Sequence, residues 1–131
     1  MLCSASGEVI CADPEAGTYE TVKSLKGFVR GMDIYGDYMF VGLSKLRQNS
    51  STFRKLPVAE FSSYAGITVI HLPTKAVVAE LKYKASVDEI YDVILLPGHK
   101  RPGILNTIQP VHKMALSTPE ATFWARDEKP N

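Results

Sequence analysis

Three carboxylates lie within five residues: Asp88, Glu89 and Asp92. Carboxylates this close can share general acid–base work or hold a hard cation. On a strand, Asp88 and Asp92 would share one face while Glu89 points to the other. The plain alternative is that one caps a turn and the others pair with Arg30 or Lys82 across strands. Opposed to them in charge stand Arg30, Lys45, Arg47, Arg54 and Lys55, with His99, Lys100 and Arg101 in a second basic stretch. A guanidinium fork binds two oxygens at once, so arginines on loops at one end of a β scaffold suit a carboxylate or phosphate ligand. A solvated basic rim would read the same way. Arg30 is the most informative of these because it sits among the apolar Val29 and Met32. An arginine drawn inward needs a counter-charge, and Asp33 or Asp92 is the expected partner. The ligand-binding candidates are therefore Arg30, Lys45, Arg47, Asp88, Glu89 and Asp92.

Other chemistry is not signalled. His71, His99 and His112 have no metal-ligand spacing with one another or with the cysteines, so no metal and no cofactor is expected. No Gly-x-Ser-x-Gly elbow is present, Ser44 beside Lys45 is an ordinary loop pair, and no glycine loop could cradle a phosphate. Cys3 and Cys11 are the only cysteines. Two buried or half-buried thiols are expected; a disulfide between them would require the first residues to form a hairpin.

The chain that positions these groups has 131 residues, 45% hydrophobic and 22% charged, which suits one globular β-rich domain over 1–131. Fifteen basic and 14 acidic residues leave a net charge of +1, without the basic excess of a nucleic-acid binder. Met1-Leu2-Cys3-Ser4 lacks the charged and apolar regions of a signal peptide, and no apolar run reaches membrane-spanning length. The expectation is a cytoplasmic protein without nucleic-acid or membrane partners.

Strand and turn signals alternate. Residues 7–12 and 18–25 flank Asp13-Pro14-Glu15-Ala16-Gly17, where Pro presets φ, Asp bonds its own backbone and Gly accepts positive φ. Residues 28–35 and 38–44 flank Gly36-Asp37 as a second hairpin. A long connection covers 45–65, where Val58 to Phe61 could add one helical turn. Residues 66–72 and 76–83 flank Pro73-Thr74-Lys75, and 88–96 reads as a further strand closed by Pro97-Gly98. Ile104-Leu105 suits one more short strand. In the tail, 106–131, Ser117-Thr118-Pro119-Glu120 reads as a helix start, with about two turns over 121–126. Phe123 and Trp124 read as its apolar anchor.

The chain also repeats itself. Gly7 to Pro14 aligns with Gly66 to Pro73, and Gly31 to Tyr35 with Val87 to Tyr91. Repeated units of four short strands, here 7–44 and 66–105, are the pattern of propeller blades. The fold class is all-β: antiparallel hairpins as about two propeller-like blades or a small β-sandwich, with a short C-terminal helix or extended tail.

Several of these segments carry a resemblance: Asp13-Pro14, the run Gly27 to Gly31, the run Gly36 to Arg47, Ser51-Thr52-Phe53, the run Leu56 to Glu60, and Glu89 to Val93 followed by Leu96-Pro97-Gly98. On them the stretch from Gly7 to about Gly103 resembles the C-terminal part of an uncharacterised, mainly bacterial family with a domain of unknown function. The resemblance implies a β-propeller-like fold and no activity. Two blades cannot close a ring and leave open edges that invite pairing. The functional expectation is a binding or assembly module, a homo-oligomer acting through its edges and loops, with a small anionic ligand or a protein as partner. The alternative is a small-ligand enzyme, or a carboxylate- or phosphate-binding site, built from Arg30, Arg47, Asp88, Glu89 and Asp92.

Overall fold

In the computed structural model, residues 1–46, 51–85, 87–100, 102, 108, 115–118 and 122–124 are described. The described chain divides into two units, 1–95 and 96–131. The first contains two antiparallel sheets. A three-stranded sheet has the order β1 (Leu2–Cys3), β2 (Glu8–Asp13), β3 (Thr18–Ser24). A four-stranded meander has the order β4 (Phe28–Tyr35), β5 (Tyr38–Ser44), β6 (Gly66–His71), β7 (Ala76–Lys82).

The turns form for the reasons their residues supply. The Asp13 Oδ1 accepts the N–H groups of Glu15 and Ala16 at 3.0 and 3.1 Å, and Gly17 takes positive φ. Gly36 does the same between β4 and β5.

Period-2 alternation along β6, with Gly66, Thr68 and Ile70 buried, sets the inner face of the meander. Register places Leu43, Val41 and Met39 of β5 opposite those three residues, and Val29 opposite Leu43. With Val9 of the three-stranded sheet, these apolar residues form the core.

The outer face of the meander carries the site. Here β4 bulges: Val29 pairs with Leu43 but the next pair is Met32 with Val41, so Arg30 and Gly31 together oppose Gly42. Gly31 holds φ +67°. A Cβ there would lie 2.6 Å from the Val93 amide nitrogen, and one on Gly42 would lie 2.6 Å from the Ile90 Cγ2. The two glycines thus make a trough in which the backbone of residues 88–95 lies.

That segment corrects the expectation of a strand at 88–96. No ladder pairs it. Side chains take up several of its backbone groups. The Ser44 Oγ donates to the Ile90 carbonyl and accepts the Ile90 N–H, both at 2.9 Å. The Asp33 Oδ2 accepts the Leu95 N–H at 2.7 Å. The Lys45 N–H adds a backbone bond to the Asp88 carbonyl at 2.8 Å. The apolar run is real, but it packs as a strap over glycines instead of extending a sheet.

The second unit corrects the tail. Residues 122–124 form a strand, β9 (Thr122–Trp124), paired with β8 (Ala115–Ser117), in place of the expected helix. β-branched and aromatic residues at 122–124 favour this pairing. The Ile104-Leu105 strand, the Pro119-Glu120 helix start and the side chains of Phe123 and Trp124 lie outside the described residues. In the first unit, two short 3-10 turns, Phe53–Lys55 and Pro57–Glu60, occupy the long connection, the second close to the helical turn expected there. Both cysteines are free thiols; Cys3 is half-buried, but Cys11 is exposed on β2 rather than packed.

Candidate functional site

Strand alternation puts Phe28 and Arg30 on the outer face of β4, and the strap brings Glu89 and Tyr91 to them. The Arg30 guanidinium carbon stands 4.2 Å from the Tyr91 ring centroid and 5.9 Å from that of Phe28. Both distances allow cation–π attraction. An Arg30 nitrogen lies 3.5 Å from a Glu89 carboxylate oxygen. The side chains of Arg30 and Glu89 are 32% and 20% exposed, so the pair is shielded more than a surface ion pair. From the connection after β5, Phe53 meets Phe28 edge-on, with centroids 5.7 Å apart.

These groups line a cleft of about 360 Å³ formed by Phe28, Arg30, Ser44, Lys45, Leu46, Phe53, Glu89 and Tyr91. Its lining is part apolar (Phe28, Leu46 and Phe53) and part charged (Arg30, Lys45 and Glu89). Among the lining residues two are cationic and one is anionic. Lys45 reaches Asp88 at 3.8 Å, but the two side chains are 53% and 75% exposed, so this contact holds Lys45 weakly.

The structure brings Arg30, Lys45 and Glu89 into one cleft and sets Asp88 beside it. Asp92 does not join them: its Oδ1 accepts the Val93 N–H at 2.8 Å. The expected partners of Arg30 are corrected accordingly. Asp92 is turned to its own backbone, Asp33 is committed to Leu95 and Ile34, and Glu89 takes the place. Asp88 and Asp92 share no strand face, because the strap is not a strand. Arg47 lies outside the described residues. Lys82 pairs with Glu80 at 3.2 Å, not with the acidic cluster. No group of three or more His, Cys, Asp or Glu that could hold a metal occurs among the described residues.

Phe28, Leu46, Phe53 and Tyr91 are site residues that sequence reasoning missed. Phe28 and Arg30 stand two apart on one strand, a spacing that places an aromatic beside an arginine. Phe53 has no such local signal.

Titration is perturbed away from the cleft. Hydrogen bonds from the Leu95 and Ile34 amides hold the Asp33 carboxyl below its usual value of 3.8. Burial first, and then the hydrogen bond to Glu80, push the Tyr64 phenol up to about 12. The bond from Lys82, and then that from Tyr64, hold Glu80 below its usual value.

A family model described as a domain of unknown function, DUF4915, matches residues 1–105. The chain belongs to this family. The match spans both sheets and the strap, so the cleft lies wholly within the DUF4915 domain. No curated protein and no solved structure matches the chain. No helix among the described residues is long and apolar enough to cross a membrane.

Proposed function

We propose that this DUF4915 domain is a binding module whose working site is the cleft between the β4 bulge and the strap. One observation carries the reading: Arg30 is held among Tyr91, Phe28 and Glu89 inside a cleft that Leu46 and Phe53 also line. Holding a guanidinium by a ring and a carboxylate limits its rotamers before any ligand arrives, which lowers the entropy cost of binding. Ser44 supports binding over turnover, because its hydroxyl is engaged on both sides by Ile90. The test is amide-resolved NMR of the full chain titrated separately with benzoate, benzamidine, glucose and phosphate. Shifts confined to the amides of residues 28–31, 44–46 and 89–91 support the reading. A chain whose cleft amides move with none of the four overturns it.

A second reading, self-association, is favoured by β7. It is one of the two edge strands of the meander, with β4 the other, and Val78 and Leu81 on it are 53% and 55% exposed. An open edge with exposed apolar residues pairs readily with a second copy. The four-stranded meander runs from β4 to β7, across the expected units 7–44 and 66–105 and not within either, and four consecutive antiparallel strands are the organisation of a blade. Light scattering over a dilution series tests the association: a dimer abolished by Val78→Lys supports it, and a monomer at all concentrations sinks it.

A further inference from the structure

The cleft has a polarity that names its occupant. Its volume, about 360 Å³, lies at the lower end of small-molecule sites, roughly 300 to 1,000 Å³. That size suits a compact molecule and not a folded partner. Phe28, Leu46 and Phe53 supply an apolar surface that would bury a ring or short chain. Arg30 and Lys45 supply two positive charges; Glu89 faces Arg30 within the cleft, and the exposed Asp88 beside it makes only a loose contact with Lys45 at 3.8 Å. A cationic ligand would have to stack where the Arg30 guanidinium already stands over Tyr91.

We infer, resting on the cleft reading above, that the ligand is a small organic acid with an apolar body. Its carboxylate or phosphate bridges Lys45 and Arg30 and its body lies on Phe28 and Phe53. Glu89 then has a definite role. It is the counter-ion of Arg30 and a competitor for the incoming anion. The pair is 3.5 Å apart and partly shielded, and an anion seated closer to the guanidinium would displace Glu89 from it. Lys45 is the readier partner, because its exposed contact with Asp88 costs little to give up.

The experiment uses the full 131-residue chain at low salt, with benzoate, phenyl phosphate, inorganic phosphate and benzamidine followed by amide shifts. Benzoate and phenyl phosphate are expected to bind and benzamidine to be refused. Glu89→Gln is expected to tighten benzoate about fivefold, the effect of removing one charge about 4 Å away in a water-like medium. Lys45→Gln, at an exposed position that leaves the fold intact, is expected to weaken it by a similar factor. Benzamidine bound in preference would overturn the anion while leaving the cleft as a binding site. Inorganic phosphate bound as tightly as phenyl phosphate would overturn the apolar body. Unchanged benzoate affinity in Lys45→Gln would overturn the role of the charge even if Glu89→Gln failed to fold. Cleft amides unmoved by every probe would instead remove the binding reading beneath it.

Discussion

Ser44 and Ile90, 46 residues apart in sequence, are joined by a reciprocal pair of hydrogen bonds through one hydroxyl. Ser44 is 1% exposed, so this is a buried substitute for a backbone ladder step. Replacing Ser44 with Ala leaves both the Ile90 N–H and its carbonyl without that partner. The expected cost is about 2 kcal/mol, the penalty range for stranded buried polar groups. Urea unfolding of wild type and Ser44→Ala measures it, and a difference under a quarter of that value would show the strap to be held elsewhere.

Gly42 gives a complementary test. A Cβ there would meet the Arg30 carbonyl oxygen of the neighbouring strand as well as Ile90 and Val93, whose Cγ2 atoms lie 2.6 and 3.1 Å from where it would sit. Gly42→Ala should destabilise by about 1–3 kcal/mol through overpacking. It should also release the strap, read as faster proteolysis at Tyr91. Gly17→Ala is the control: nothing lies within 4 Å of its Cβ position, and only its positive φ opposes the change. It should leave proteolysis at Tyr91 unchanged.

Alkaline pH reports on Tyr64. Its folded-state pKa, about 12, lies above the ordinary 10.0, so folding favours the protonated phenol. This contribution is complete below pH 10 and disappears as pH rises towards 12. The melting temperature of wild type should therefore fall across that interval more steeply than that of Tyr64→Phe. Parallel curves for the two proteins would sink the assignment.

Acid reports on Asp33 and Glu80. Both carboxyls are held below their ordinary values of 3.8 and 4.5. Folding therefore favours the ionised forms, and the stabilisation is present above those values. It is lost as pH falls through the lower, folded-state values. Asp33→Asn should flatten the acid limb of the stability curve, because the variant no longer has a charge to neutralise. It should also loosen Leu95, seen as faster amide exchange there. Unchanged exchange at Leu95 would contradict the 2.7 Å bond from its N–H to Asp33.

The hairpins were legible because their turn residues state their own geometry. Asp13 with Gly17, and Gly36 with Asp37, fix where β2 to β5 reverse, and alternation then fixes which face is buried. The strap was not legible for a physical reason. Val93 to Leu96 is as apolar as a central strand, and nothing local reveals that Ser44 and Asp33 satisfy its backbone in place of a neighbouring strand. The same non-local arrangement hid the partner of Arg30. Glu89 was visible as a candidate, but only the trough at Gly31 and Gly42 determines which carboxylate reaches the guanidinium. In the tail, residues 122–124 carried β propensity beneath a helix-start pattern, and pairing with Ala115–Ser117 decided the outcome.

The strap's side-chain anchors also order events in time. The bonds at Ser44–Ile90 and Asp33–Leu95 close loops of 46 and 62 residues, whereas the hairpins beneath them close over a few. Loop-closure entropy grows with the logarithm of length, and contacts of high sequence separation form late in folding. The expected order is hairpins first and the cleft last. Damage to the strap then appears as quicker unfolding with little change in the folding rate. Through the same late step, an occupant of the cleft would slow unfolding and so prolong the lifetime of the whole domain.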